Sequence, residues 1–306
     1  MNIEFHYHIN LIIARLAGFS EPASEIIAHS AQLVDDNNRA LSVRLKAENT
    51  CYKNIITQTF NIKLAKEKLH DIYTYFHFQP SGHGREKFWI VEANSDLARK
   101  IFLSAMATGN PYLIGIASHA FADSFAHHGF IGGCNAHNSP IPGLASYGHM
   151  YFVELPDLVA VKWLDIRFGK LIDNNRRFIQ AARALLGHYC AHNSIVKRQT
   201  EHKVLQLTKL LKKAFGRSKH YLPDLNSEAR VRVRRYRKIY RELSGEDAPR
   251  YRPYKWQRQA MHYSLAEKCW VAGCDFENSD WYNFQEQAKN YKALASRSID
   301  EHIEKY

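Results

Sequence analysis

The chain has 306 residues, 45% hydrophobic and 24% charged, which excludes a disordered protein and leaves enough length to bury a sizeable core. The formal net charge is +12, yet residues 201–260 hold 17 of the 42 Lys and Arg and 6 of the 30 Asp and Glu, so the rest is nearly neutral. Cys51, Cys134, Cys190, Cys269 and Cys274 are odd in number, irregularly spaced and without a CxxC, which argues against a disulfide framework or a cysteine zinc site.

In chain order, MNIEFHYHINLIIARLAGF lacks a basic n-region, is interrupted by Arg15 and is followed by no small-residue cleavage site. It does not read as a secretory signal, and no apolar run is long enough to span a bilayer. With free thiols, this predicts a cytoplasmic protein, export by a signal-independent route remaining open. Residues 10–19 carry helical periodicity and stop at Gly18; Ser20-Glu21-Pro22 then caps a helix that ends in VDDNN. Residues 41–78 read either as helix or as an extended insertion. Gln79 to Gly84 is a loop by composition. Helices are predicted to start at Asn94-Ser95 and at Asn110-Pro111, followed by a Gly, Pro and Ser-rich loop over 131–148. LVAVKWLDIRFGKLI and NRRFIQAARALLGHYCAHNSI read as two further helices. No long alternating run argues for a sheet, so the expected fold is all-α. The shift in composition suggests a first unit over 1–200 and a basic, mostly helical extension over 201–306, packed on it or appended to it.

The stretch GIASHAFADSFAHHGF, Gly115 to Phe130, carries the chemistry. On a helix, positions i, i+4 and i+8 share one face with a drift of about 40° per step. His119, Asp123 and His127 therefore point one way. Imidazole nitrogen and carboxylate oxygen are ligand types that zinc accepts, and unpaired burial among Ala, Phe and Ile would be costly. Gly115 and Ala122 thin the helix so that a neighbour can approach. The competing reading is a set of hydrogen-bonded core residues. Further candidates are His6 and His8, of which a helix turns only one inward; Asp35 and Asp36 at a helix end; His77 in an aromatic stretch; and His149 with Glu154 and Asp157. Each also has a plain structural reading, as a solvated end, a stacked ring or a cap.

The pattern GxxxHxxxDxxxHxGF resembles the metal-binding helix of the zinc-dependent phospholipase C superfamily, whose members include single-strand nucleases. Its wording is similar to the amino-terminal domain of GPI-specific phospholipase D, and more similar still to a bacterial family of this type. FHYH, ARLAGF, VDD, FHFQP and GH followed by PD occur in the matching order, over residues 1 to about 170. The resemblance implies an α-helical hydrolase with two or three Zn2+ ions. It implies ligands at His6 or His8, Asp35 or Asp36, His77, His119, Asp123, His127, His149, and Glu154 or Asp157. Two features depart from the pattern. The superfamily places a carboxylate four residues after its last His, where this chain has Val153. In exported members the mature amino terminus ligates zinc; with no processing site here, that ligand is expected to be absent.

Clustered divalent ions suit phosphodiester cleavage, because they activate water near neutral pH and stabilise the attacking and leaving oxygens. Asp123 is the candidate to bridge ions; Asp35 or Asp36 would ligate or take a proton. The segment from Ala229 to Leu243 reads as a helix with an apolar stripe of Val233, Tyr236, Tyr240 and Leu243. Arg232, Arg234, Arg235, Arg237, Lys238 and Arg241 cover the remainder, a surface for nucleic acid or an anionic membrane, or simply a solvated face. YRPYKWQR adds aromatics that could stack on bases. The expectation is a zinc-dependent phosphodiesterase acting on phospholipid or a related phosphodiester. The alternatives are a nuclease on single-stranded DNA or RNA and a non-catalytic, metal-stabilised binding protein.

Overall fold

The computed structural model describes residues 1–305 apart from 47, 60, 62 and 221–224, with only the backbone at 225 and 226. The chain opens with a π-helical turn, Glu4–Ile9, that runs into α1 (Asn10–Leu16) and then α2 (Glu21–Asp36). A hairpin follows, β1 (Ser42–Leu45) and β2 (Thr50–Lys53), then α3 (Lys66–Ile72), which ends in a second π-turn, Tyr73–His77. Next come α4 (Gly84–Lys87), α5 (Asp96–Met106) and α6 (Pro111–Ala126), and the short pair β3 (Cys134–Asn135) and β4 (Ser146–Tyr147). A second hairpin, β5 (Lys162–Asp165) and β6 (Lys170–Asp173), leads to α7 (Asn174–His192), α8 (Lys197–Phe215) and α9 (Leu225–Ser244). The chain closes with α10 (Lys255–Ala260), β7 (Met261–Ser264), β8 (Cys269–Ala272) and α11 (Asp280–Ile303).

Capping explains where the helices begin. The Ser20 hydroxyl accepts from Ala23 N–H with Pro22 in the first turn, Ser95 accepts from Ala98 N–H, and the Asn110 side chain accepts from Tyr112 and Leu113 ahead of Pro111. Helix α6 is buried from Leu113 to Ala126 and hydrophobic all round, so it must lie inside the protein rather than on its surface. Helices α2, α5, α7 and α11 pack around it. At Gly115 a Cβ would run into the Ile27 carbonyl and lie 2.6 Å from Ser30 Cβ, so only glycine lets α2 come this close.

The all-α expectation is overturned: helix takes 57% of the chain and strand 11%, in a mixed α/β fold. A four-stranded sheet runs in the order β2-β1-β8-β7. Strand β1 pairs antiparallel with β2 and parallel with β8, in the register Val43↔Trp270. The strands are too short to show a long alternation, and β1 and β8 come from opposite ends of the chain, so no local pattern announces them. Residues 162–173 form a hairpin where a helix was expected. Trp163 pairs with Ile172 on the inner face and Leu164 with Leu171 on the outer, and Gly169 at φ 63° makes the turn.

Residues beyond 200 share the main hydrophobic cluster with the earlier helices: Leu207, Tyr236, Tyr240, Phe284 and Tyr291 are buried in it. Among the described residues no helix is long and apolar enough to cross a membrane. The five cysteines are unpaired.

Candidate metal centre

Both π-turns carry a histidine to the same point. His6 lies within the first and His77 ends the second, in keeping with the frequent placement of such widened turns at functional sites. The middle and C-terminal end of α6 supply His119, Asp123 and His127, and the last turn of α2 supplies Asp35. His149 and Asp157 come from short 3-10 turns beyond the long loop.

The ring orientations are fixed by main-chain carbonyls. His119 donates from Nδ1 to Ala31 O at 2.7 Å, and His77 from Nε2 to Thr57 O at 2.9 Å. His127 donates from Nδ1 to His77 O at 2.8 Å, and His149 from Nδ1 to Val153 O at 2.7 Å. A carbonyl only accepts, so each of these nitrogens carries the ring proton and, in the neutral imidazole, the other nitrogen presents a lone pair.

Those lone pairs converge on carboxylates. His77 Nδ1 and His119 Nε2 lie 3.1 Å apart, and each is 3.2 Å from Asp123 Oδ2. Asp35 Oδ1 stands 3.9 and 3.7 Å from the same two nitrogens. His6 stacks on His119 with centroids 3.8 Å apart; its buried Nε2 is 3.1 Å from Asp123 Oδ1 yet makes no hydrogen bond. On the far side, His127 Nε2 is 2.9 Å from Asp157 Oδ1 and His149 Nε2 is 3.1 Å from Asp157 Oδ2. Acceptors therefore face acceptors with no proton between them, which is unfavourable unless a cation or added protons intervene. Ligands about 2.1 Å from a tetrahedral ion are about 3.4 Å apart, so this spacing fits divalent ions. Three triplets have donor atoms close enough to share one: His6, Asp35 and His119; His77, His119 and Asp123, which overlap at His119; and, separately, His127, His149 and Asp157. An N–H tied to a carbonyl behind each donor nitrogen is the usual support of a metal-bound imidazole.

The Met1 α-amino group lies between the inner cluster around Asp123 and the outer one around Asp157, although no zinc-ligating amino terminus is expected from the sequence. It contacts Asp123 and is 3.0 Å from Asp157 Oδ1. Burial opposes its charge, but Asp123, Asp157 and Asp35 raise its pKa to about 11. Burial likewise opposes ionisation of Asp123 and Asp157, but the α-amino group and the neighbouring histidines hold both carboxyls well below the usual range. Burial pushes the Asp35 carboxyl up and His127 down. His6 is lowered by burial, His119 and the α-amino group. At His119 and His149 burial opposes the charge, but the facing carboxylates win and raise both. Three carboxyl groups and five imidazoles thus surround one amino group.

Other sequence candidates stand apart. His8 lies on the opposite side of its turn, against Tyr236, and burial lowers its pKa to about 4. Asp36 turns outward and accepts from the Tyr251 hydroxyl and, at 3.4 Å, from Gln32. Glu154 is exposed at the edge of a cavity of about 550 Å³ between the N-terminal turn and α9. The arginine helix is split. Arg232 is 3% exposed and grips Glu4 with two bonds of 2.7 Å, because it falls on the face that docks against the N-terminal turn. Arg235 donates to the Ala214 carbonyl at 2.8 Å, and Arg241 pairs with Asp247. Arg234, Arg237, Lys238 and Arg241 still line one surface depression. The carbonyls of Ala31, Thr57 and Val153 left no trace in the sequence, since any residue provides one; the α-amino group was signalled only by the resemblance.

No curated protein and no solved structure matches the chain. A family model does, over residues 1–299, and the chain belongs to that family, described as a family of unknown function (DUF6765).

Proposed function

We propose that the protein is a metal-dependent phosphodiester hydrolase that holds two or three zinc-like ions in the His and Asp cluster. One observation carries the reading: four imidazoles are latched by backbone carbonyls so that their free nitrogens face Asp123 and Asp157. Mixed nitrogen and oxygen donors suit zinc, with related divalent ions as alternatives. His6, Asp35, His77 and His119 would hold the inner ion or ions, and His127, His149 and Asp157 the outer one. Asp123 turns one oxygen toward His6 and the other toward His77 and His119, which suits a bridging ligand. The α-amino group between the halves would join the set once deprotonated.

Bound ions would supply an activated water near neutral pH and charge stabilisation on the phosphodiester oxygens. The chain's own residues do the rest. Asp35 has a side chain 24% exposed and would either ligate or accept a proton from the reacting water. His149 and Asp157 are 19% and 18% exposed and keep the outer half reachable by substrate. Such an open edge favours catalysis over a closed structural site. The cationic depression on α9 supports a second reading, a nuclease on single-stranded DNA or RNA. Unpaired cysteines are in keeping with a reducing, cytoplasmic setting.

The test measures metal content by elemental analysis, then hydrolysis of phosphatidylcholine, single-stranded DNA, RNA and bis(p-nitrophenyl) phosphate, each with and without chelator. Bound zinc and chelator-sensitive hydrolysis, lost in His119→Ala, are expected. Protein purified without chelator that carries no metal and cleaves none of these substrates refutes the reading.

A further inference from the structure

Of the carbonyls that latch the imidazoles, that of Thr57 needs the most explaining. Ala31 lies inside α2, so the helix sets its carbonyl, whereas residues 54–59 belong to neither helix nor strand. A buried carbonyl in irregular chain keeps its direction only where other bonds hold the peptide. Thr57 is fully buried and has those bonds. Its N–H donates to the Asn37 carbonyl at 3.0 Å. Its hydroxyl donates to the Val34 carbonyl at 2.7 Å and accepts from Asn37 Nδ2 at 3.2 Å. The Thr57 carbonyl is left to accept from His77 Nε2 at 2.9 Å.

Every one of these anchors belongs to the last turn of α2 or to its cap, the turn that also carries Asp35. Asn37 is itself held. Its Nδ2 donates to Ile55 O at 2.9 Å, and its Oδ1 accepts from Gln285 of α11 at 3.0 Å. Farther along the segment, the Thr59 carbonyl accepts at 2.8 Å from the hydroxyl of Tyr73, the first residue of the π-turn that ends in His77. The segment is therefore tied at one end to the helix that bears Asp35 and at the other to the turn that bears His77.

We infer that Thr57 is a positioning residue whose hydroxyl, clamped between Val34 and Asn37, fixes the ring of His77 relative to Asp35. It acts through His77 and does not meet the reacting atoms. The hydroxyl holds the Thr57 peptide, the peptide oxygen holds His77 Nε2–H, and His77 Nδ1 is thereby turned toward Asp123 at 3.2 Å and Asp35 at 3.9 Å. Valine at this position has nearly the same shape but leaves Val34 O and Asn37 Nδ2 without their partner, so the segment has to shift to satisfy them. Serine keeps the hydroxyl. The inference deepens the metal-centre reading, since His77 is one of the ligands proposed, but the clamp itself can be tested on the metal-free chain.

The experiment compares the full chain as wild type, Thr57→Val and Thr57→Ser, each checked for folding by circular dichroism. Asn37→Ala, a second lesion in the same clamp, is read in the same way should Thr57→Val not fold. The histidines are isotopically labelled, metal is removed with chelator, and solvent exchange of the ring N–H protons of His77 and His119 is followed by NMR. Both protons are protected in the wild type. In Thr57→Val that of His77 exchanges about tenfold faster or more, that of His119 is unchanged, and Thr57→Ser restores protection. A wild type without a protected His77 proton, or a folded Thr57→Val that protects it as well as wild type does, overturns the inference. So does equal loss at His119, because the threonine then serves general packing. On zinc-loaded chains, competition with a chelator is expected to show Thr57→Val holding zinc about tenfold more weakly than wild type or Thr57→Ser. Equal zinc affinity in chains that bind it also overturns the inference. A wild type that binds no zinc but gives the expected exchange pattern keeps the clamp and removes the metal reading alone.

Discussion

The inner and outer halves of the metal centre are built in opposite ways. The inner half comes from helices: His119 and Asp123 on α6, Asp35 on α2, and His6 and His77 in π-turns. His6, His77, His119 and Asp123 are buried, and packing of α2 against Gly115 of α6 sets their spacing. The outer half comes from chain that has left the helices: His127 at the cap of α6, and His149 and Asp157 at short turns. Its last two members reach solvent, as only Asp35 does in the inner half. The inner half is therefore shaped by the core before any ion arrives, whereas the outer half can adjust around a ligand and admit a substrate. The α-amino group ties the two together, contacting Asp123 and lying 3.0 Å from Asp157 Oδ1.

The comparison is broken most severely at that tie. Asp123→Ala is expected to empty the inner half, release the α-amino group and lower hydrolysis by more than about a hundredfold; an unchanged metal-to-protein ratio would disprove its role as a ligand. Arg232→Met tests the anchor of the turn that carries His6 and Met1. It strands the buried Glu4 carboxylate and should cost about 3–5 kcal/mol in urea unfolding, since breaking a buried pair from one side is worse than replacing it whole. A midpoint equal to wild type would mean that the pair holds nothing in place. His149→Ala sharpens the contrast: the outer ion is lost, the inner retained, and activity falls about 10- to 100-fold. Loss of every ion would show that the halves are not separable. The smallest effects belong to residues outside the cluster. Asp36→Asn weakens the bond from Tyr251 by about 1 kcal/mol, and Glu154→Gln removes one exposed charge. Both should leave metal content unchanged, and a drop in either would extend the site.

The same division governs what could be read from the sequence. His119, Asp123 and His127 were legible because fixed helical spacing places polar residues on one line in an apolar segment. The choice between His6 and His8, or Asp35 and Asp36, was not, because these neighbours point to different faces of a single turn and only the packing around it decides which face meets the cluster. Asp157 lay outside the expected four-residue spacing, since its strained turn at Val153 spreads the pair over eight positions. The sheet escaped notice because Val43 finds Trp270 across most of the chain. Hairpin β5–β6 was mistaken for helix because Leu164, Ile166 and Leu171 are exposed, which blurs the usual contrast between faces. On α9 the apolar stripe is legible, but Arg232 and Arg235, read with the cationic remainder, reach inward to Glu4 and Ala214.

The backbone latches behind the imidazoles have a consequence for genetics. Ala31, Thr57 and Val153 contribute through peptide oxygens, so exchanging their side chains leaves that contribution in place wherever the main chain keeps its path. At Val153, whose side chain is 70% exposed, tolerance to substitution would disguise its importance, whereas buried Ala31 and Thr57 are also constrained by their surroundings. A glycine at 153 should even relax the backbone there while still steering the ring of His149. Damage would come instead from a proline or a deletion that moves the peptide plane, and the lesion would surface at a histidine remote in sequence from the altered codon.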